Sequence, residues 1–283
     1  MGNGPLYLAS WKLEVYEQER GPLRYKAITG LTEGQLSELT ARVHEVVGDL
    51  RSGGRPYVLG LFKSVAMVVA LMRRNLVQDV AGAFFGVSQP TVSRRWDLLR
   101  PVIADVLEEF VPDPKDVIGV GSVLVDGTIC PAWDWSAVPG LFSGKAQYPG
   151  FNVQIAADLD GRLAAVGMKA VHGGRHDAHA YAASGLADLL ADIDTVADSG
   201  YAGVDGIDLM PYKKPRGRQL HESQSAFNAA LSGIRAAVER AVAHLKTWRM
   251  LSEEGGRYRA PVHKFPSALK TIVALHFFAE TYE

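Results

Sequence analysis

Val123-Leu124-Val125-Asp126-Gly127-Thr128 and Thr195-Val196-Ala197-Asp198-Ser199-Gly200-Tyr201 are the two stretches on which the fold turns. Each is a short apolar run that ends in an aspartate and then meets glycine, directly or after one serine. Runs of this length, bounded by turn residues, read as buried strands. A carboxylate at a strand end is held rigidly. Two of them on neighbouring strands make a hard-oxygen donor pair of the kind that suits Mg²⁺ or Mn²⁺, which keep several waters and also bind phosphate.

Working outward, Ser122 to Asp126, Phe151 to Asp158 and Leu163 to Ala170 are β-type runs. Asp158-Leu159-Asp160-Gly161 between the last two reads as a hairpin turn, because aspartate and glycine tolerate the φ values of a tight reversal. Ala178 to Leu190 reads as a helix, Thr195 to Ala197 as a short buried strand, and Ser223 to Trp248 as a long helix or a helix pair. Three strands, a helix, a strand and a helix follow the order of an RNase H-like α/β domain, assigned to residues 119–283. The last helix carries Glu239, with Arg235 one turn before it and Lys246 two turns after, all on nearly one face. Glu239 is therefore the expected third ligand. Two ions about 3.5–4 Å apart, held by Asp126, Asp198 and Glu239, could drive in-line attack on a phosphodiester. The basic neighbours Arg235 and Lys246 would hold the phosphate backbone.

The first half of the chain has a different period. Thr32 can cap a helix through Val47, with Leu36, Leu39, Val43 and Val46 or Val47 at three- and four-residue spacings. Ser52-Gly53-Gly54-Arg55-Pro56 is a break, followed by helices from Val58 to Arg73, Gln78 to Phe85 and Pro90 to Leu99. Residues 1–110 form an α-helical domain on this reading, and residues 111–118, with Pro112 and Pro114, form a linker. Within the helical domain, Val80, Phe84 and Phe85 are assigned to one face of a first helix. Gly86 allows a turn, Ser88 stands where it can cap the next helix, and Pro90 falls in its first turn. That is the layout of a helix-turn-helix. With Val92 and Trp96 buried, Gln89, Thr91, Ser93, Arg94 and Arg95 form the exposed set that can reach phosphates and base edges in a major groove.

Composition narrows the classes. The 283 residues are 47% apolar and carry a formal net charge of -1, enough for a packed core and too balanced for a protein that coats nucleic acid through bulk charge. Any DNA contact must come from local basic clusters: Arg73 and Arg74, Arg94 and Arg95, and the set from Lys213, Lys214, Arg216 and Arg218 to Arg235, Arg240, Lys246 and Arg249. The apolar run from Ser64 to Met72 stops at two arginines, well short of a membrane span. Met1 to Pro5 lacks the parts of a secretory signal, and the single cysteine, Cys130, fits a reducing cytoplasm.

As an ordered series, the motifs resemble one family. They are Asn75-Leu76-Val77-Gln78-Asp79-Val80 with Gly86-Val87-Ser88-Gln89-Pro90-Thr91-Val92-Ser93-Arg94; Val125-Asp126-Gly127-Thr128; Ser143-Gly144-Lys145 with Asn152-Val153-Gln154; His176-Asp177; Ala197-Asp198-Ser199-Gly200-Tyr201; and Arg235, Glu239 and Lys246 in an R-x3-E-x6-K spacing. From about Thr29 to Phe277 the chain resembles the DDE-type bacterial insertion-sequence transposases, in the branch related to eukaryotic Harbinger elements. The resemblance implies that Asp126, Asp198 and Glu239 are the catalytic, metal-binding triad and that two Mg²⁺ ions are the cofactor, with Mn²⁺ as an alternative. It implies double-stranded DNA as partner, both the element's terminal inverted repeats and target DNA, and a homo-oligomer, dimer or higher, at the nucleoid. Lys145 joins the DNA-contacting set, and His176 and Asp177 become active-site neighbours. Ser232 and Ser199 depart from the family, which often has tyrosine and lysine there, without removing a metal ligand.

Other readings stay open beside this one: a nuclease that cleaves without strand transfer, and a DNA-binding protein that keeps the fold for recognition alone. His172, His176, Asp177 and His179 crowd one short segment that could be mistaken for a zinc site, since imidazole and carboxylate are ordinary zinc ligands. Trp133, Trp135 and Phe142 could stack a flipped base or simply pack.

Overall fold

The structure, a computed structural model, describes residues 24–48, 58–118, 121–133 and 137–282. The expected break at residues 52–56, the N-terminal residues 1–5 and Trp135 lie outside the described residues. The chain forms two compact units: Met1–Val111 with Trp248–Met250 and Ser267–Glu283, and Pro112–Thr247 with Leu251–Pro266.

The first unit is helical, with α1 (Tyr25–Thr29), α2 (Glu33–Val47), α3 (Leu61–Arg74), α4 (Gln78–Phe85) and α5 (Gln89–Val106). Thr32 starts α2 as expected: its hydroxyl accepts the Gln35 N–H at 3.2 Å, and Gln35 Oε1 accepts the Thr32 N–H at 2.8 Å. Leu36, Leu39 and Val43 are buried, whereas Val46 is exposed. Helix α3 is buried on nearly every side, the mark of a helix at the centre of a unit.

The α4–turn–α5 segment corrects three expectations. Ala81 and Phe85, four residues apart, set the inward side of α4, leaving Val80 and Phe84 exposed on the neighbouring stripe. Arg95 is buried, because it lies three residues after Val92 and so shares the stripe of Val92, Trp96 and Leu99. Ser88 occupies the N-cap position, but its hydroxyl meets that of Thr91 at 3.2 Å instead of a backbone N–H. The turn itself is as read, with Gly86 at φ 68°. Helix α5 also outruns the expected end at Leu99 and continues through Pro101 to Val106, held by buried Leu99, Ile103 and Ala104.

The second unit opens with a short helix, α6 (Pro114–Ile118), inside the expected linker, where proline at the first helical position is tolerated. Its sheet contains β1 (Ser122–Pro131), β2 (Phe142–Ser143), β3 (Tyr148–Ala157), β4 (Leu163–Val166), β5 (Val171–His172) and β6 (Asp194–Val196). The order is β2-β3-β1-β6, with β4 and β5 also on β3. All described pairs are antiparallel except β1 with β6.

Strand β1 pairs with β3 from Leu124 to Pro131, but with β6 only from Ser122 to Leu124. Asp126 therefore ends a strand with respect to β6 and sits mid-strand with respect to β3. The expected strand from Leu163 to Ala170 is shorter, ending at Val166.

The expected helix from Ala178 to Leu190 is two pieces, α7 (Asp177–Ala183) and α8 (Leu186–Leu189), parted at Gly185 with φ 84°. These pack on one sheet face, where Val123, Val125 and Ala156 meet Tyr181, Leu186, Leu190 and Tyr201. Helix α9 (Glu222–Lys246) packs on β1, β3 and β4 through Leu231, Ala237, Val238, Ala241 and Leu245. Cys130 is fully buried, and burial pushes its thiol up to about 12, leaving it an inert apolar residue.

After α9, Phe265 begins α10 (Phe265–Thr281) and stacks on Phe151 with ring centroids 3.8 Å apart. From Ser267 onward α10 belongs to the helical unit. There Gln35 Nε2 donates to the carbonyls of Ala279 and Tyr282, and the Thr271 hydroxyl donates to that of Arg100. No helix among the described residues is long and apolar enough to cross a membrane.

The β3–β4 hairpin is built as expected. Asp158 Oδ1 accepts the N–H groups of Asp160 and Arg162 at 2.9 and 2.8 Å, and Gly161 takes φ 86°. A Cβ on Gly161 would stand 2.9 Å from the Ala237 carbonyl oxygen of α9. Gly161→Ala is therefore expected to destabilise the second unit by about 1–3 kcal/mol, through positive φ and backbone contact together, read as a lower urea midpoint.

Candidate active site

Asp126 projects from β1 just beyond the last residue paired with β6. Its Oδ1 accepts the N–H of Gly127 at 2.8 Å. Burial is the largest influence on its carboxyl and holds it above the usual aspartate range. The Gly127 hydrogen bond and Arg235 pull the other way, while Asp198 and Asp177 push further up.

Asp198 follows β6 directly and caps a 3₁₀ turn over Ser199–Tyr201, its Oδ1 accepting the Gly200 N–H at 2.7 Å. Its Oδ2 lies 3.7 Å from Arg235 Nη2 on α9. Two carboxylates and a guanidinium thus meet where β6 stops.

Helix α9 delivers the remaining expected groups along one stripe. At about 100° per residue, positions 235, 239 and 246 fall within roughly 40° of each other. Lys246 Nζ donates to the Ile129 carbonyl on β1 at 3.1 Å, at the far end of the stripe from Arg235. Glu239 lies between them and is exposed. Among the described residues no three His, Cys, Asp or Glu side chains gather closely enough to hold an ion. Asp126 and Asp198 come together, then, and Glu239 shares the helix stripe of Arg235 and Lys246 without closing on the two aspartates. The same holds for the histidine segment, where His172 Nδ1 lies 2.9 Å from the Pro139 carbonyl oxygen.

Asp177, expected only as a neighbour, is tied into the site more tightly than the sequence reading foresaw. Its Oδ1 accepts from Asn152 Nδ2 at 2.8 Å and from Gln154 Nε2 at 3.4 Å, and its Oδ2 lies 3.5 Å from Lys145 Nζ. Gln154 Nε2 also donates to Asn152 Oδ1 at 2.7 Å, and the Tyr201 hydroxyl donates to Gln154 Oε1 at 2.6 Å. This buried chain links the loop of Asp198 to the start of α7. Gly127 makes room for it, since a Cβ there would collide with Asp177 Oδ1 and Gln154 Nε2. The sequence signal was present: Asn152 and Gln154 are amides two apart, on one face of a strand otherwise apolar. His176 is the N-cap residue of α7 but makes no capping hydrogen bond through its side chain, and it is exposed.

In the helical unit, Arg94 is exposed, while Gln89, Thr91 and Ser93 are half-buried; Arg94 Nη2 donates to the Thr91 hydroxyl at 3.2 Å. The basic residues Lys213, Lys214, Arg216 and Arg218 are exposed on the loop before α9. Trp133 and Phe142 are both exposed rather than packed.

Residues 126–276, beginning at Asp126 itself and containing Asp198 and all of α9, match the model of the DDE superfamily endonucleases. The chain belongs to this family. A candidate transposase of insertion sequence element IS112 from Streptomyces albus G is 30% identical over 226 residues, covering 80% of this chain and 84% of that protein. One of insertion sequence element IS702 from Microchaete diplosiphon is 25% identical over 244 residues, covering 82% and 86%. No solved structure matches the chain.

Two outcomes follow for this DDE endonuclease. Because burial raises the Asp126 carboxyl, its charged form costs the fold stability at pH values above its folded pKa, and the cost disappears once the group is protonated. Asp126→Asn should raise the Tm of the metal-free protein at pH 7 by about 2–4 °C, with the gain shrinking toward pH 4, as read by paired thermal melts. Tyr201→Phe leaves the buried Gln154 Oε1 without its donor and should cost about 1–3 kcal/mol in chemical denaturation.

Proposed function

We propose that the chain is the transposase of an insertion sequence: it binds its element's terminal inverted repeats, and cleaves and rejoins DNA strands with divalent metal ions. One observation carries this reading, the meeting of Asp126 and Asp198 with Arg235 at the point where β1 runs on past β6. A pure DNA-binding protein has no use for two partly buried carboxylates beside a polyanion. The kinship to transposases of IS112 and IS702 across four-fifths of the chain supports the same reading.

The second unit is proposed as RNase H-like, with its order of strands, helix pair, short parallel strand and long helix. The donor set suits Mg²⁺, with Mn²⁺ as a substitute, since such ions are held by one or two carboxylates together with waters and substrate phosphate. Asp126 and Asp198 would hold the ion, and Glu239 would complete the set from its exposed position on α9. Bound there, such a metal would supply Lewis-acid chemistry, lowering the pKa of an attacking water or 3′-hydroxyl and offsetting charge on the leaving oxygen. Asp126 must be ionised to serve. Arg235 orients Asp198 and supplies positive charge beside the phosphate, and Lys246, fixed on the Ile129 carbonyl, does so on the other side of Glu239.

The α4–turn–α5 segment is proposed as a DNA-reading helix-turn-helix. Gln89, Thr91, Ser93 and Arg94 face the groove, while the buried Arg95 supports the helix from behind. The exposed loop with Lys213, Lys214, Arg216 and Arg218 would track a DNA backbone. An element has two ends to be joined, so two or more copies of the chain are required on DNA.

The test is cleavage of a labelled duplex carrying the inverted repeat that flanks the gene. Cleavage should need Mg²⁺ or Mn²⁺, stop with a chelator, and fall roughly a thousandfold or more, about 4 kcal/mol in barrier, in Asp126→Ala, Asp198→Ala and Glu239→Ala. End binding by gel shift should persist in all three. Binding without metal-dependent cleavage by the native chain would overturn the enzymatic reading, and cleavage without joined products would reduce the protein to a nuclease.

A further inference from the structure

A cavity of about 520 Å³ opens along the edge of β1 immediately after Asp126. Its walls are residues 127–129 of β1, the turn of residues 143–146, Tyr148 and Asn152 of β3, residues 173–177 and Lys246. We propose that it receives a single unpaired nucleotide of the DNA strand being processed, base inward and phosphate at the rim, beside the Asp126–Asp198 pair. This rests on the transposase reading above and extends it to a subsite that the carboxylates alone do not define.

Four observations lead there. The volume falls within the roughly 300–1,000 Å³ that encloses a molecule of nucleotide size, too small a space for a stacked duplex. The lining carries three cations, Lys145, Arg175 and Lys246, with the first two well exposed, so a phosphate at the rim meets positive charge. The ion pair of Lys145 with Asp177, at 3.5 Å and with the lysine side chain 79% exposed, is weak enough to exchange for a phosphate contact. Asp177 does not depend on that lysine, because Asn152 and Gln154 already donate to its other oxygen. Finally, Tyr148 gives the cavity an aromatic wall, and base stacking on an aromatic ring is tolerant of sequence.

Position makes the cavity specific to the scissile region. Residues 127–129 follow Asp126 on the same strand, so a nucleotide held against them lies within a residue or two of the reacting phosphate. A base can enter only when it leaves its partner strand, which ties occupancy to the unstacking of a DNA end.

The experiment uses the full chain, Ca²⁺ in place of Mg²⁺ to prevent cleavage, and inverted-repeat duplexes with 2-aminopurine placed singly along both strands near the tip and flank. In the native protein one position near the cut should brighten by about threefold or more on binding, the signature of an unstacked base. Two variants test the cavity. Arg175→Ala removes an exposed rim cation, and Gly144→Trp puts a bulky ring on the lining at a position where a Cβ meets no atom within 4 Å. Both should keep end binding within about threefold by gel shift and a native melting curve, while the brightening is lost. End binding with no bright position in the native chain, or brightening undiminished in both variants, sinks the subsite and leaves the transposase reading standing. Failure of the native chain to bind the ends sinks both.

Discussion

Strand β6 pairs with β1 for three residues and then stops, and the meeting of Asp126 with Asp198 depends on that early stop. Past Leu124, β1 continues against β3 on one side while its other edge is left without β6. An exposed strand edge offers unpaired backbone groups. Here side chains take two of them: the Asp126 carboxylate accepts the Gly127 N–H, and Lys246 donates to the Ile129 carbonyl. The same termination releases the chain at Asp198, so two aspartates emerge side by side because one strand is short. Like charges so close need a counterweight, and Arg235 supplies it from the facing helix. The open edge beyond is where the cavity forms.

Behind the carboxylates lies a buried polar chain whose members are all neutral until it reaches Asp177. Tyr201 donates to Gln154, Gln154 donates to Asn152 and Asp177, and Asn152 donates to Asp177. Each amide has its orientation fixed by its neighbours, because swapping nitrogen and oxygen on Gln154 would point its N–H groups at the Tyr201 O–H and set its oxygen against the oxygens of Asn152 and Asp177. A network satisfied throughout is rigid, and one broken at any link leaves buried groups unpaired. Burial accordingly pushes the Tyr201 phenol far up, so it stays a donor at all working pH values. Gly127 completes the arrangement by lacking a side chain, which accounts for the glycine after the first aspartate better than turn formation does, since β1 continues straight through it.

The sequence carried the element types and the identity of the paired aspartates, because apolar runs of period 2 and 3.6 report burial directly. It misplaced ends and faces where tertiary contacts decide them. Asp126 looked like a strand end, and is one on a single side; no one-dimensional pattern distinguishes the two edges of a strand. Helix α5 outran Leu99 because apolar burial on both sides of Pro101 outweighs the lost hydrogen bond. Arg95 reads as polar and therefore exposed, yet its position three residues after Val92 puts it on the buried stripe, and position won over residue type. Phe84 and Val80 were assigned inward for their apolarity, whereas Ala81 and Phe85 take that side. In the site, Asn152 and Gln154 were visible as part of a motif, but their partners lie 23 to 47 residues away in sequence, and only folding shows what they hold.

The Asp126 carboxyl is the place where stability and activity pull apart. An aspartate raised by burial beside two other carboxylates is a cost that the apo fold bears, relieved in part by Gly127 and Arg235. Removing the charge favours the fold and, on the proposed function, removes a metal ligand, the usual trade between stability and activity. On the proposed function a cation between Asp126 and Asp198 would offset that repulsion, so its binding would be linked to folding and would stabilise the native state by mass action. The exposed Glu239, on the stripe between Arg235 and Lys246, costs the apo fold little because it keeps its hydration. Two carboxylates are committed by the sheet and the third is left in solvent, so on the proposed function the set would be completed only as metal and DNA bind.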